Sequence, residues 1–123
     1  MGILPEVRIG GMKFILPLLL ILCVPLMGDE KKDKESFEET KAKAEKGNPV
    51  SQYSLGELYL KGKGVKTNAV VAFTWWNISA VNGNKLAIES LVKFPVKLTG
   101  NQISKADALA KDMIKKNPKL IND

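Results

Sequence analysis

Residues Gly47–Gly83 read GNPVSQYSLGELYLKGKGVKTNAVVAFTWWNISAVNG, and this stretch decides the fold. It holds two helical segments separated by a glycine pair. Val50–Lys61 carries Tyr53, Leu55, Leu58 and Tyr59, after which Gly62 and Gly64 suit a tight loop with positive φ. Asn68 can cap the next helix. In that helix Ala69, Ala72, Phe73, Trp76 and Ala80 fall at i, i+3, i+4, i+7 and i+11, which is one face. Gly56 and Ala72 lack bulk, so helices can approach closely there, while Phe73 and Trp76 fill the groove between hairpins. The segment closes at Asn82-Gly83, much as Ala42–Lys46 closes at Gly47.

From Phe37 onward the chain repeats at an offset of 36 residues: Phe37 with Phe73, Ala44 with Ala80, Gly47 with Gly83, and Asn48 with Asn84. Ser54 and Ser90, Leu55 and Leu91, Gly64 and Gly100, and Ala72 and Ala108 continue the series. A period in the mid-thirties whose matches fall on small and apolar positions predicts stacked helical hairpins. Asn84–Phe94, with Leu86, Leu91 and Val92, is a further helix that Pro95 stops. Thr99 and Gln102 form a capping box that opens a last helix, with Ile103, Ala106, Ala110, Met113 and Ile114 on one stripe, and Asn117-Pro118 ends it. The reading is all-α: five helices and no strand, a short α-solenoid of stacked antiparallel hairpins. It comprises about two repeats over 37–116, closed by a C-terminal capping helix, and a tail at 117–123. Without such a cap the exposed end would pair with another copy as a homodimer.

These residues resemble the Sel-one-like repeat (SLR) family, relatives of the tetratricopeptide repeats. Leu55-Gly56-x-x-Tyr59 matches the family's second-helix pattern, and Gly62 to Val65 matches its Gly-x-Gly-Val loop. Asn68 stands for the usual Asp, Trp75 for the family's Trp, and Ala80 and Gly83 for its Ala and Gly. Gly47, Ala72, Phe73 and Trp76 complete the set of repeat-structural residues. The second unit departs from the pattern after Gly83, with Glu89 in place of Tyr53 and Val92 in place of Gly56. The resemblance implies that the first helices of each hairpin line a concave, partner-binding side. Outward positions there are Glu38, Lys41 and Glu45 in one unit, and Thr74, Asn77 and Val81 in the next.

Length and composition narrow the function. The chain has 123 residues, 19 Lys+Arg against 13 Asp+Glu (net +6), no histidine and a single cysteine, Cys23. Lacking His removes the usual general base near neutral pH and the commonest metal ligand. One cysteine allows neither an intrachain disulfide nor a Cys-based metal site. No catalytic, cofactor-binding or metal-binding residues are assigned, and no cofactor is expected.

Phe14–Gly28 is free of charge and follows Met12-Lys13, which gives a second start at Met12. The run is shorter than a spanning helix and is interrupted by Pro17 and Pro25, so residues 1–28 read as a secretory signal. A bacterial periplasmic or secreted location follows. The alternative is an uncleaved anchor holding an envelope structural protein at the membrane. Leu20-Ile21-Leu22-Cys23 lacks the small residue that a lipidation site needs where Leu22 stands. Residues 29–36 form a charged, solvated lead-in that becomes helical.

Other motifs resolve to bland readings. Gly62-Lys63-Gly64-Val65-Lys66-Thr67 lacks the phosphate-loop spacing and a preceding strand. Glu38, Glu39, Glu45, Glu57 and Glu89 read as surface acids opposite lysines. Trp75-Trp76 reads as packing rather than a ligand platform, with side chains about 100° apart and one partly exposed. Asn77-Ile78-Ser79 has glycosylation form but lies mid-helix. The lysine excess comes without arginine after residue 28, so nucleic acid is not expected, and a solvated surface is favoured over an anionic membrane. The sequence points to a non-enzymatic module that binds a protein or peptide.

Overall fold

The structure is a computed structural model that describes residues 30–94 and 98–122. The chain divides into two compact units, Met1–Lys32 and Asp33–Asp123, and of the first only residues 30–32 are described. The signal segment, the second start at Met12, the anchor alternative and the stop at Pro95 lie outside the described residues.

Among the described residues five α-helices follow one another: α1 (30–45), α2 (Pro49–Lys61), α3 (Ala69–Val81), α4 (Lys85–Lys93) and α5 (Gly100–Lys116). A 3-10 turn, Pro118–Leu120, opens a short strap, 118–122. Among the described residues there is no strand. The fold is the all-α stack of antiparallel hairpins expected from the 36-residue period. The charged stretch is already helical at residue 30, so it is the first part of α1 rather than a lead-in to it.

Local sequence sets each boundary. Asn48, Asn68 and Asn84 accept hydrogen bonds from the backbone N–H of Ser51, Val71 and Ala87, and Thr99 with Gln102 closes a reciprocal capping box. Each cap contributes about 1 kcal/mol by satisfying an otherwise orphaned donor. Gly47 and Gly83, at φ 97° and 87°, turn the chain where a side chain would be strained.

Helix α3 occupies the centre. It contains no charged residue and is flanked by α2, α4 and α5. Ala72, Phe73, Thr74, Trp75, Trp76, Ile78 and Ser79 are all buried. The helix is therefore buried around most of its circumference, beyond the single apolar face expected for it. Trp75 and Trp76 are 4% and 1% exposed, so neither has the partly exposed ring expected from their spacing. Their divergence instead feeds two cores. Trp75 packs with Phe37, Leu55, Ile78, Ala110 and Leu120, whereas Trp76 packs with Phe73, Ala87 and Ala106.

The α2–α3 crossing is tight because Gly56 has no side chain: a Cβ there would lie 2.5 Å from Trp76 Nε1. Trp76 Nε1 donates to the Tyr53 carbonyl at 3.1 Å, and the Tyr53 ring stacks on the indole at 5.9 Å. Phe73 and Phe94 meet the same indole at 5.3 and 5.4 Å.

The period is lost in α5. Ala106 and Ala110 are buried against the rest of the fold, while Ala108, the counterpart of Ala72, is exposed. Gly64 has φ 78°, but Gly100 is the first residue of a helix. The cap at Thr99 sets the phase of α5, and its two buried alanines let it lie close. Ile103, placed on the same stripe by spacing, is 38% exposed.

Candidate functional site

Two open hollows border the strap. One, of about 200 Å³, is lined by Glu45, Trp75, Met113, Lys116, Asn117 and Leu120, where the ends of α1 and α5 meet the side of α3. Its floor is apolar, and Glu45 and Lys116 bring opposite charges to it. Asn117 Nδ2 donates to the Glu45 carbonyl at 3.0 Å, tying α5 to α1 beside it. The other, of about 350 Å³, is lined by Lys43, Lys46, Gly47, Asn48, Pro49 and Asn122.

Between the hollows the strap is held by side-chain amides, of which Gln52 is buried and Asn82 half-buried. Gln52, fully buried on α2, donates through Nε2 to the Ala44 carbonyl at 3.1 Å and to the Leu120 carbonyl at 2.9 Å. Its Oε1 accepts from Asn82 Nδ2 at 2.8 Å. Asn82 Nδ2 also donates to the Leu120 carbonyl at 2.7 Å, and Asn82 Oδ1 accepts from the Asn122 N–H at 2.8 Å. Asn122 Nδ2 in turn donates to the Gly47 carbonyl at 2.6 Å. The Leu120 side chain is buried in the Trp75 core, so residues 117–122 are not a free tail.

The six outward positions expected on the concave side do not form one surface. Glu38 and Glu45 are exposed and Lys41 is half-buried, all on α1, and of the six only Glu45 borders a hollow. Thr74 is fully buried: its hydroxyl reaches the Val70 carbonyl at 2.8 Å and the Ala106 carbonyl of α5 at 3.3 Å. Packing of α5 against α3 has covered it. Asn77 is half-buried and Val81 is exposed. They follow Trp75 by two and six residues, placing them about 160° and 120° from it around the helix, away from the hollow Trp75 borders. Sequence reasoning missed Gln52, Asn82, Met113, Lys116, Leu120 and Asn122. The available signal was a polar pair, Gln52 and Asn82, beside glycines and apolar residues that pack.

Charged side chains pair along single helices, including Lys43 and Lys116 at the edges of the two hollows. Glu39–Lys43, Asp107–Lys111 and Asp112–Lys116 meet at 3.0 Å, all at solvent, and each contributes a few tenths of a kcal/mol. Among the described residues no helix is long and apolar enough to cross a membrane.

No family model matches the chain. A chitin synthase regulator of Saccharomyces cerevisiae is 37% identical over 62 residues, which make up 50% of this chain and 9% of that protein. The fold is similar to the crystal structure of a protective antigen present in uropathogenic Escherichia coli strains, which displays an SLR fold. That likeness has a TM-score of 0.65 at 27% identity, over 72% of this chain and 20% of the antigen. The chain thus spans a small part of the length of either protein. Hairpins turned at Gly47 and Gly83, a glycine crossing beneath Trp76 and this likeness agree with one another, and the chain is folded as Sel-one-like repeats.

Proposed function

We propose that this chain is an exported helical-repeat module that binds a protein or peptide and has no catalytic activity of its own. The observation that carries the reading is the hollow between α1, α3 and α5, with Trp75, Met113 and Leu120 beneath and Glu45 and Lys116 beside them. An apolar floor with polar groups at its edge suits a partner's side chain better than a reaction, since aromatic anchors surrounded by a polar rim carry much of the energy of protein interfaces. Likeness to a chitin synthase regulator and to an SLR antigen supports an interaction role. Export rests on the uncharged run Phe14–Gly28 after Lys13.

The test is capture of binding proteins at high salt by the wild-type chain and by a chain carrying Glu45→Lys with Lys116→Glu. A protein held by the first and released by the second supports the reading, and equal capture by both refutes it. The intact mass of the exported product separates the compartment readings. A product beginning at Asp29 fits a cleaved signal, while one retaining Phe14–Gly28 fits the membrane-anchored envelope protein.

A further inference from the structure

We propose that the end of the helix stack carrying the hairpin turns at Gly47 and Gly83 is a docking surface for an anionic lipid bilayer. Among the described residues, three of the six exposed large hydrophobic side chains stand there: Val50 and Val81, each 65% exposed, and Leu86 at 55%. Val50 is the second residue of α2, Leu86 the second of α4, and Val81 the last of α3. Hydrogen bonds hold these helix ends together. Ser79 Oγ donates to the Pro49 carbonyl at 2.7 Å, and Asn82 Nδ2 to Gln52 Oε1 at 2.8 Å. Between α2 and α4, Ser90 Oγ donates to the Tyr53 hydroxyl at 3.4 Å. Val50 and Leu86 precede Tyr53 and Ser90 by three and four positions, so each lies one turn nearer the end on the same side of its helix.

Lysine surrounds these aliphatic side chains. Lys46, Lys85 and Lys119 are exposed, and none has an ion-pair partner among the described residues. Lys46 precedes the first turn, Lys85 opens α4, and Lys119 is brought here by the strap, which Asn122 Nδ2 ties to the Gly47 carbonyl at 2.6 Å. Lys43 and Lys116 stand at the same end, paired with Glu39 and Asp112. Glu45 is the acid here that stands outside an ion pair among the described residues. Composition alone favours a solvated lysine surface. The placement adds what solvation does not need, which is aliphatic side chains held out at the same level as the ammonium groups.

A bilayer fits this surface better than a protein does. The cores of protein interfaces are built on Tyr, Trp and Arg and are depleted of Lys. Here Lys is the cation, both tryptophans are buried, and the apolar residues are spread over the ends of three helices, where they meet a plane rather than a peptide. Aliphatic side chains entering the headgroup boundary while lysines stay level with anionic headgroups is how proteins lie on a membrane. The opposite end is the internal contrast. Lys61, Lys63 and Lys66 crowd it too, but Asp33, Glu35 and Glu57 stand near them, Val65 is half-buried, and Ile103 in the first turn of α5 is only 38% exposed. This inference goes beyond the protein-binding reading and uses other residues than the hollow beside Trp75. Its failure leaves that reading intact, because the Glu45 and Lys116 exchange is tested separately.

The experiment uses the full chain with Cys23→Ser and Leu86→Cys, so that a polarity-sensitive fluorophore attaches at one place. On phosphatidylglycerol vesicles the fluorophore is expected to shift to the blue and become shielded from aqueous acrylamide, and on phosphatidylcholine vesicles to stay unchanged. The same label attached through Val50→Cys is expected to respond alike, and through Lys66→Cys not to respond. Adding Lys46→Glu with Lys119→Glu is expected to weaken vesicle affinity at least about tenfold, since each lysine beside an anionic surface is worth a factor of about five. Adding Lys61→Glu with Lys63→Glu, more than a screening length away, is expected to change it less than about threefold. No response at residues 50 and 86, an equal response at residue 66, or equal losses from the two lysine exchanges overturns the proposal. A label at residue 86 that responds to soluble polyglutamate and not to vesicles assigns this end to an acidic protein, and also overturns it.

Discussion

Helices α2 and α4 are the second helices of consecutive hairpins, and they start alike and are packed differently. Each follows a glycine with positive φ and an asparagine cap of nearly the same geometry, φ −74°, ψ 112° at Asn48 and φ −73°, ψ 116° at Asn84. Beyond the first turn the likeness stops. Helix α2 is covered on two sides, with Tyr59 meeting the edge of Phe37 at 5.4 Å and Gly56 lying beneath Trp76. Helix α4 buries Ala87 and Ser90 on one face and leaves Leu86, Ile88 and Val92 at solvent, Val92 at 73% exposure. Val92 stands where the period puts the counterpart of Gly56. Turns and caps repeat because they are written in three or four adjacent residues. Stacking repeats only where a residue without bulk lets the next helix come close, and α4 has none at that place.

Substitutions at matched positions can break that comparison. The largest effect is expected at the residue both hairpins share: Trp76→Ala should cost about 3–5 kcal/mol in urea denaturation, since it empties the centre of one core. Gln52 and Ile88 are counterparts. Gln52→Ala should cost about 2–3 kcal/mol by removing its hydrogen bonds to the Ala44 and Leu120 carbonyls and to Asn82 and leaving a cavity in their place, and Ile88→Ala less than about 1 kcal/mol. Gly56→Ala should cost about 1–3 kcal/mol through overlap with the indole, whereas Val92→Ala should stay within about 0.5 kcal/mol. If the last two matched, close approach would not be what separates the helices. Asn48→Ala and Asn84→Ala should each cost about 1 kcal/mol. Unequal losses at these two caps would show that neighbouring packing, and not the cap itself, sets their worth.

Helix number, order and the capped starts of α2 to α5 were legible in the sequence, whereas the start of α1 lay inside the charged stretch that read as a lead-in. Asn48, Asn68, Asn84 and Thr99 are short-range signals whose partners lie three residues away. The surroundings of α3 were less so. Spacing isolates Ala72, Phe73 and Trp76 as one face, but only contacts from α5 bury Thr74, and the 36-residue period does not hold there. Projecting Glu38 onto Thr74 carried an exposed position into a covered one for that reason. The strap left no periodic trace, since Leu120 follows Pro118 outside any helical stripe and its partners are distant in the chain. Only the residue types of Gln52 and Asn82, amides set among packing residues, hinted at it.

The strap also sets a timetable. The Gln52–Leu120 bond joins residues 68 positions apart, so in a chain made N-terminus first it becomes available only after helices α1 to α5 have all emerged. Until residues 120–122 emerge, every helix can cap itself, yet Gln52 and Asn82 keep their water and the Trp75 core lacks Leu120. The five helices stay in a loosened, hydrated condition until these few residues arrive and lock them.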